Sequence, residues 1–132
     1  MPPVSLLATT VGALAGWILG SLWYGPLFGK AWMAEHRFTA EDLTKDFNPL
    51  KTYGTMLLLS FVASYVFGVF IGVEPGLQRA TIVGAAAGAF WVSGAIATNY
   101  LFEKTSMRLF LINGGYHTVR FTLIGVAFGL LG

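Results

Sequence analysis

Two residues of this sequence, His117 and Arg120, can hold or move charge, yet they sit inside an otherwise apolar stretch. Arginine carries a permanently charged fork of donors that matches carboxylates and phosphates, and histidine titrates near neutrality. Arg120 lies about twelve residues from Arg108. At ~1.5 Å per residue that is roughly 18 Å, near the midplane of a hydrocarbon core ~30 Å thick. A charge at that depth marks a functional or structural site and needs a partner. No carboxylate falls within any apolar stretch of the chain.

Asn113, His117 and Arg120 follow i, i+4, i+7 spacing and share one helix face. Ile112, Tyr116, Val119, Leu123, Val126 and Leu130 lie roughly opposite, as expected of a set facing lipid. Ser60, Ser64 and Ser93 reach comparable depths on other stretches, and Asn99 and Asn113 flank a short turn almost symmetrically, placed to bond across it. These seven residues form a candidate ligand-binding layer. Arg120 then has three readings. It donates to carbonyls and serine hydroxyls of its own bundle, it clamps an anion such as a lipid phosphate or a carboxylate, or it pairs with Glu74 or an acid of another subunit. His117 is read first as a hydrogen-bonded packing residue. A single histidine with no cysteine or acid beside it does not make a metal site, and neither a metal nor a cofactor is expected. The acids Glu35, Glu41, Asp42 and Asp46 alternate with Arg37 and Lys45, the pattern of a solvated, self-neutralising loop. No phosphate-cradling loop, HExxH or GxSxG is present, so enzymatic activity is not expected.

The elements that must position these residues are membrane helices. Of 132 residues 55% are hydrophobic and 11% charged, and mean hydropathy is +0.68. A soluble domain carries about 25% charged residues. Four stretches, 4–24, 51–73, 80–102 and 109–131, each approach the ~20 residues a spanning helix needs. The expected fold is all-α, a single domain over 1–132: a four-transmembrane-helix bundle with short hairpin turns and one cytoplasmic loop. The fourth stretch is marginal, since Arg120 alone opposes its insertion by about 2.5–3.5 kcal/mol, and it should insert as a hairpin with the third. Gly25 and Pro26 should close the first helix, Asn48 and Pro49 should cap the second, and Thr39 with Asp42 should open a short polar helix.

Lys30, Arg37, Lys45 and Lys51 belong to the first loop and Lys104 and Arg108 to the third, whereas only Arg79 lies on the other side. The positive-inside rule then puts both loops in the cytoplasm and both termini outside. Gly12, Gly16 and Gly20, Gly68 and Gly72, Gly84 and Gly88, and Gly125 and Gly129 recur at four-residue spacing, which lets helix backbones approach closely in lipid. Four such ladders suggest a tight bundle, with spare surface for a homo-oligomer. Cysteine is absent, which excludes disulfides, and a net charge of +2 is too small to suggest nucleic acid.

The run Trp23-Tyr24-Gly25-Pro26-Leu27-Phe28-Gly29-Lys30-Ala31-Trp32-Met33 resembles the signature of a bacterial membrane family, domain of unknown function family 1761. Asn99-Tyr100-Leu101-Phe102-Glu103 and Leu111-Ile112-Asn113-Gly114-Gly115-Tyr116-His117 are similar to its other parts. The resemblance spans essentially the whole chain and implies a small four-span membrane protein. It supplies no activity, substrate or catalytic residue. His117 falls within the family-like motif and Arg120 does not.

The function expected is a non-enzymatic bundle that associates with itself or with another membrane protein as an accessory subunit. The alternative is a small dimeric channel or carrier for an anion or amphiphile, built on Arg120, His117 and the serine layer. The lipid bilayer is the first partner in either case, and a bound lipid or anion would be the second.

Overall fold

The computed structural model describes residues 3–132. Ser5 accepts from the Ala8 amide and so caps α1 (Leu6–Leu22), leaving one fewer orphan donor at its start. The helix does not stop at Pro26. It widens into a π-helical turn, Trp23–Leu27, with Pro26 inside it and the Phe28 amide bonded to the Trp23 carbonyl at 2.8 Å. Proline has no amide to give an α-turn and its ring crowds the carbonyl four residues back, so a wider turn replaces the clean break expected. Gly29 follows because a Cβ there would strike the Tyr24 carbonyl. α2 (Gly29–His36) then ends on Arg37 at φ 57.

α3 (Ala40–Thr44) opens with a capping box in which Thr39 and Asp42 bond reciprocally to each other's amides. Asn48 caps α4 (Pro49–Ile71) and Pro49 takes its first turn, as the sequence indicates. Gly72, at φ 86, stops it. The third apolar stretch is one continuous helix in three parts. α5 (Leu77–Ala86) passes through a second π-helical segment, Ala87–Val92, into α6 (Ser93–Glu103). Lys104, left-handed at φ 56, turns the chain, and Ser106 caps α7 (Met107–Leu131).

Among the described residues the protein is all-helical. Three helical stretches are long and apolar enough to cross a membrane, Leu6–Leu27, Pro49–Ile71 and Leu77–Glu103. α7 matches them in length at 25 residues, but Arg108, Asn113, His117 and Arg120 make it less apolar. It is nevertheless the hub, packing against α1 on one side and against α5, the second π-segment and α6 on the other. α4 packs chiefly on α1 and scarcely reaches α7.

Helices meet where glycine leaves room. A Cβ on Gly84 would strike the Phe121 carbonyl, and one on Gly125 the Ala80 carbonyl. A Cβ on Gly129 would come within 2.7 Å of the Leu77 Cα, and one on Gly88 within 2.7 Å of the Thr118 Cα. Gly68 makes way for Phe128 and Val4. Gly72 is different: nothing lies within 4 Å of its Cβ position, and its role is the helix stop.

The apolar core gathers at one end, where Ala8, Phe67, Ile71, Ala80, Ile124 and Phe128 are buried together. There Ser5 Oγ donates to the Leu131 carbonyl at 3.2 Å, tying the start of α1 to the end of α7, and Arg79 donates to the Ile71 carbonyl at 2.9 Å. The opposite end, toward α2 and α3, holds a cavity of about 580 Å³.

Candidate functional site

The layer expected from the sequence divides into three separate places. Ser93 is buried between α6 and α7, where its hydroxyl donates to the Gly114 carbonyl at 2.8 Å and lies 3.3 Å from Thr118 Oγ1. Ser64 is fully buried at the α1–α4 contact, against Gly12, and its hydroxyl has no partner among the described residues. Neither comes to Arg120. Ser60 does: it donates to the Ala13 carbonyl at 2.8 Å and also walls the space beside the guanidinium.

Asn113 forms the second place. It accepts from Tyr24 Oη at 2.7 Å and donates to Tyr100 Oη at 2.6 Å, so one amide on α7 joins the first π-turn to α6. The expected partner, Asn99, is exposed and faces away. One residue along a helix is a rotation of about 100°, so Tyr100 faces inward where Asn99 cannot. Beside this junction Trp23 Nε1 donates to the Ile112 carbonyl at 2.8 Å.

Arg120 and His117 form the third place, between α1, α4 and α7. Gly16 opposes the stem of Arg120, since a Cβ there would lie 3.0 Å from Cγ, and the guanidinium passes where a larger residue would stand. Its Nη1 lies 3.2 Å from His117 Nδ1. A guanidinium only donates, so Nδ1 accepts and the ring proton sits on Nε2. Around the pair is a half-open cavity of about 150 Å³ lined by Trp17, Met56, Leu59, Ser60, Tyr116, His117 and Arg120. That wall contains no carboxylate. Glu74, one partner considered from the sequence, is an exposed turn residue at φ 48 between α4 and α5 and does not line it.

Residues that sequence reasoning assigned elsewhere matter here. Tyr116 and Ile112, expected toward lipid, are 7% and 6% exposed. Tyr116 Oη donates to the Gly16 carbonyl at 3.0 Å and its ring packs over Gly20. The glycines of α1 were the available signal, because bulky residues on the partner helix go where glycines make room. Trp17 is not among the residues of the expected layer. Its indole Nε1 is buried with no partner, and the ring walls both the Arg120 cavity and a second, larger one. That chamber, about 580 Å³, lies between the end of α1, α2, α3 and the start of α4.

Chemically, this arrangement offers a guanidinium with one engaged donor and a neutral imidazole beside a half-open space, with an unpartnered indole N–H buried in the Trp17 side of its wall. A guanidinium in this setting can donate to an acceptor that enters the space. Among the described residues no group of three or more histidine, cysteine or acidic side chains is arranged to hold a metal ion.

Apolar helices of membrane-crossing length, joined by short turns around a polar helix, define the class to which the molecule belongs. Residues 7–129 match the family described as "Protein of unknown function (DUF1761)", and the chain belongs to that family. No curated protein and no solved structure matches it.

Proposed function

We propose that this chain is a four-span integral membrane protein that binds an anionic ligand at Arg120 and His117, without catalysing its conversion. The observation that carries the reading is the unmatched charge. Arg120 opens on a cavity with no carboxylate in its wall and uses one donor internally. A guanidinium held in lipid without a counter-charge is costly, and an anion removes that cost.

α7 supplies the fourth span in this reading. Its 25 residues are long enough, and its polar groups are turned into contacts with α1, α4 and α6 rather than toward acyl chains. An even number of crossings is supported by the Ser5–Leu131 bond, which joins the start of α1 to the end of α7. The excess of Lys30, Arg37, Lys45, Lys51, Lys104 and Arg108 on the loop side supports a cytoplasmic placement of that side, in an inner-membrane protein. An oligomeric or accessory role has less support. The glycines that would serve an intermolecular seam, Gly12, Gly16, Gly20, Gly68, Gly84, Gly88, Gly125 and Gly129, meet atoms of their own chain.

The test is thermal melting in detergent against increasing acetate at constant ionic strength. The wild type should gain stability with acetate, and Arg120→Leu, still folded by elution and circular dichroism, should not. Equal gains in both would refute the site. Orientation is checked by single cysteines, since none is native. An impermeant maleimide should label Glu74→Cys from outside intact cells and leave Thr44→Cys unreacted, and the reverse pattern would overturn the topology.

A further inference from the structure

The larger chamber lies next to the Arg120 cavity, and the two share Trp17 and Met56 as walls. Its lining is uncharged and mostly apolar or aromatic, with Trp17, Tyr24, Trp32 and Tyr53 around it and Met33 and Met56 between them. Such a chamber falls in the size range of small-molecule sites, and methionine with aromatic rings makes an adaptable apolar wall. Its polar groups are already occupied in part, because Tyr24 and Asn113 bond to each other.

We propose that the two cavities form one site for a single-tailed amphiphile with a carboxylate head, the head at Arg120 and the tail in the aromatic chamber. This rests on the anion-binding reading above. Three observations select the class. The charge is single: one guanidinium beside a neutral imidazole balances one negative charge, whereas a phosphate monoester would leave a second charge buried and unpaired. The head space is small, about 150 Å³, the size of a carboxylate with its first methylenes rather than of a bulky headgroup, and the Trp17 ring forms part of its wall. The tail space is about 580 Å³. With a methylene taking about the volume of a water, ~30 Å³, that volume matches one chain of roughly eighteen carbons.

The geometry also orders the ligand. The chamber lies toward α2, α3 and the start of α4, so the tail points to the loop side and the head reaches inward. A free fatty acid in a bilayer lies the other way, with its carboxylate at the interface. Such binding therefore needs the ion pair at Arg120 and cannot follow from partition into lipid.

The test uses the full chain in detergent with Trp91→Phe as background, because Trp91 is 66% exposed and would report lipid-like contact. Quenching of the three remaining tryptophans, Trp17, Trp23 and Trp32, is followed with a dibrominated stearic acid, with the matching dibrominated fatty alcohol, and with butyrate as a competitor. The acid should quench saturably, and the alcohol should bind about thirty-fold or more weakly. Arg120→Leu and Arg120→Gln should lose the same factor, the second variant retaining donors in case the first misfolds. Butyrate should compete only weakly, and Ser21→Phe or Thr52→Phe, which intrude on the chamber, should weaken the acid but not butyrate. If butyrate matches the long acid and the chamber variants change nothing, the amphiphile inference fails while the anion site stands. If acid and alcohol bind alike and both Arg120 variants behave as wild type, the anion site itself fails.

Discussion

Replacing Asn113 with alanine removes both bonds of the α7 amide, to Tyr24 at 2.7 Å and to Tyr100 at 2.6 Å. Hydrogen bonds between helices in a membrane are worth about 0.6 kcal/mol on average and up to ~1.7. Two of them, with two phenols left without partners, set the expected loss at about 1–3 kcal/mol. Asn113→Ala should therefore unfold more readily in a mixed-micelle titration, and Asn99→Ala, whose side chain is exposed, should not. The mechanism is isolated by a double-mutant cycle. Asn113→Ala with Tyr24→Phe should show a coupling of about 0.6–1.7 kcal/mol, and Asn113→Ala with Tyr100→Phe a similar one. Asn99→Ala with either tyrosine variant should show none. A coupling near zero for both Asn113 pairs, or an Asn99→Ala loss equal to that of Asn113→Ala, would refute the placement of this amide.

Further expectations concern packing and the loop. Gly84→Ala drives a methyl into the Phe121 carbonyl and should destabilise by about 1–3 kcal/mol, whereas Gly54→Ala, with open space around it, should be neutral or stabilise by up to ~1 kcal/mol in the same titration. The Thr39 amide and hydroxyl hold the Asp42 carboxyl below its ordinary pKa of 3.8. The carboxylate's support of α3 is complete above that ordinary value and is lost as pH falls through the lower folded value. Protection of the Thr39 amide, relative to its intrinsic exchange rate at each pH, should fall across that acid range, and Asp42→Asn should remove that change in protection.

Much of the architecture was legible because helix ends are written in side chains. Asn48 before Pro49, and Thr39 before Asp42, state where a helix starts, and the structure uses both. Helix lengths were legible from apolar runs, although the chain carries helix through Pro26, which the rule for proline does not anticipate. The faces of α7 were not legible from its apolar pattern. In lipid a leucine gains little by turning inward, so the position of small residues decides the face instead. Gly16 and Gly20 on α1 draw in Tyr116 and give Arg120 its passage, which no periodicity in α7 announces. The serine layer failed for a related reason. Equal depth along the membrane normal does not bring residues together, and Ser64 and Ser93 lie at different helix contacts from Arg120. Both π-helical segments lie against the polar part of α7, Trp23 on Ile112 and Gly88 on the His117 carbonyl, and they shift the register by an amount the sequence does not show.

The central claim is that the charge of Arg120 is met by something the bundle holds. A structure determined in lipid nanodiscs tests it most directly. The account predicts non-protein density within about 3 Å of the Arg120 guanidinium, extending past Trp17 toward Trp32 and Tyr53. A guanidinium bonded only to the protein's own carbonyls and hydroxyls, with the space beside it closed or filled by water, would contradict it.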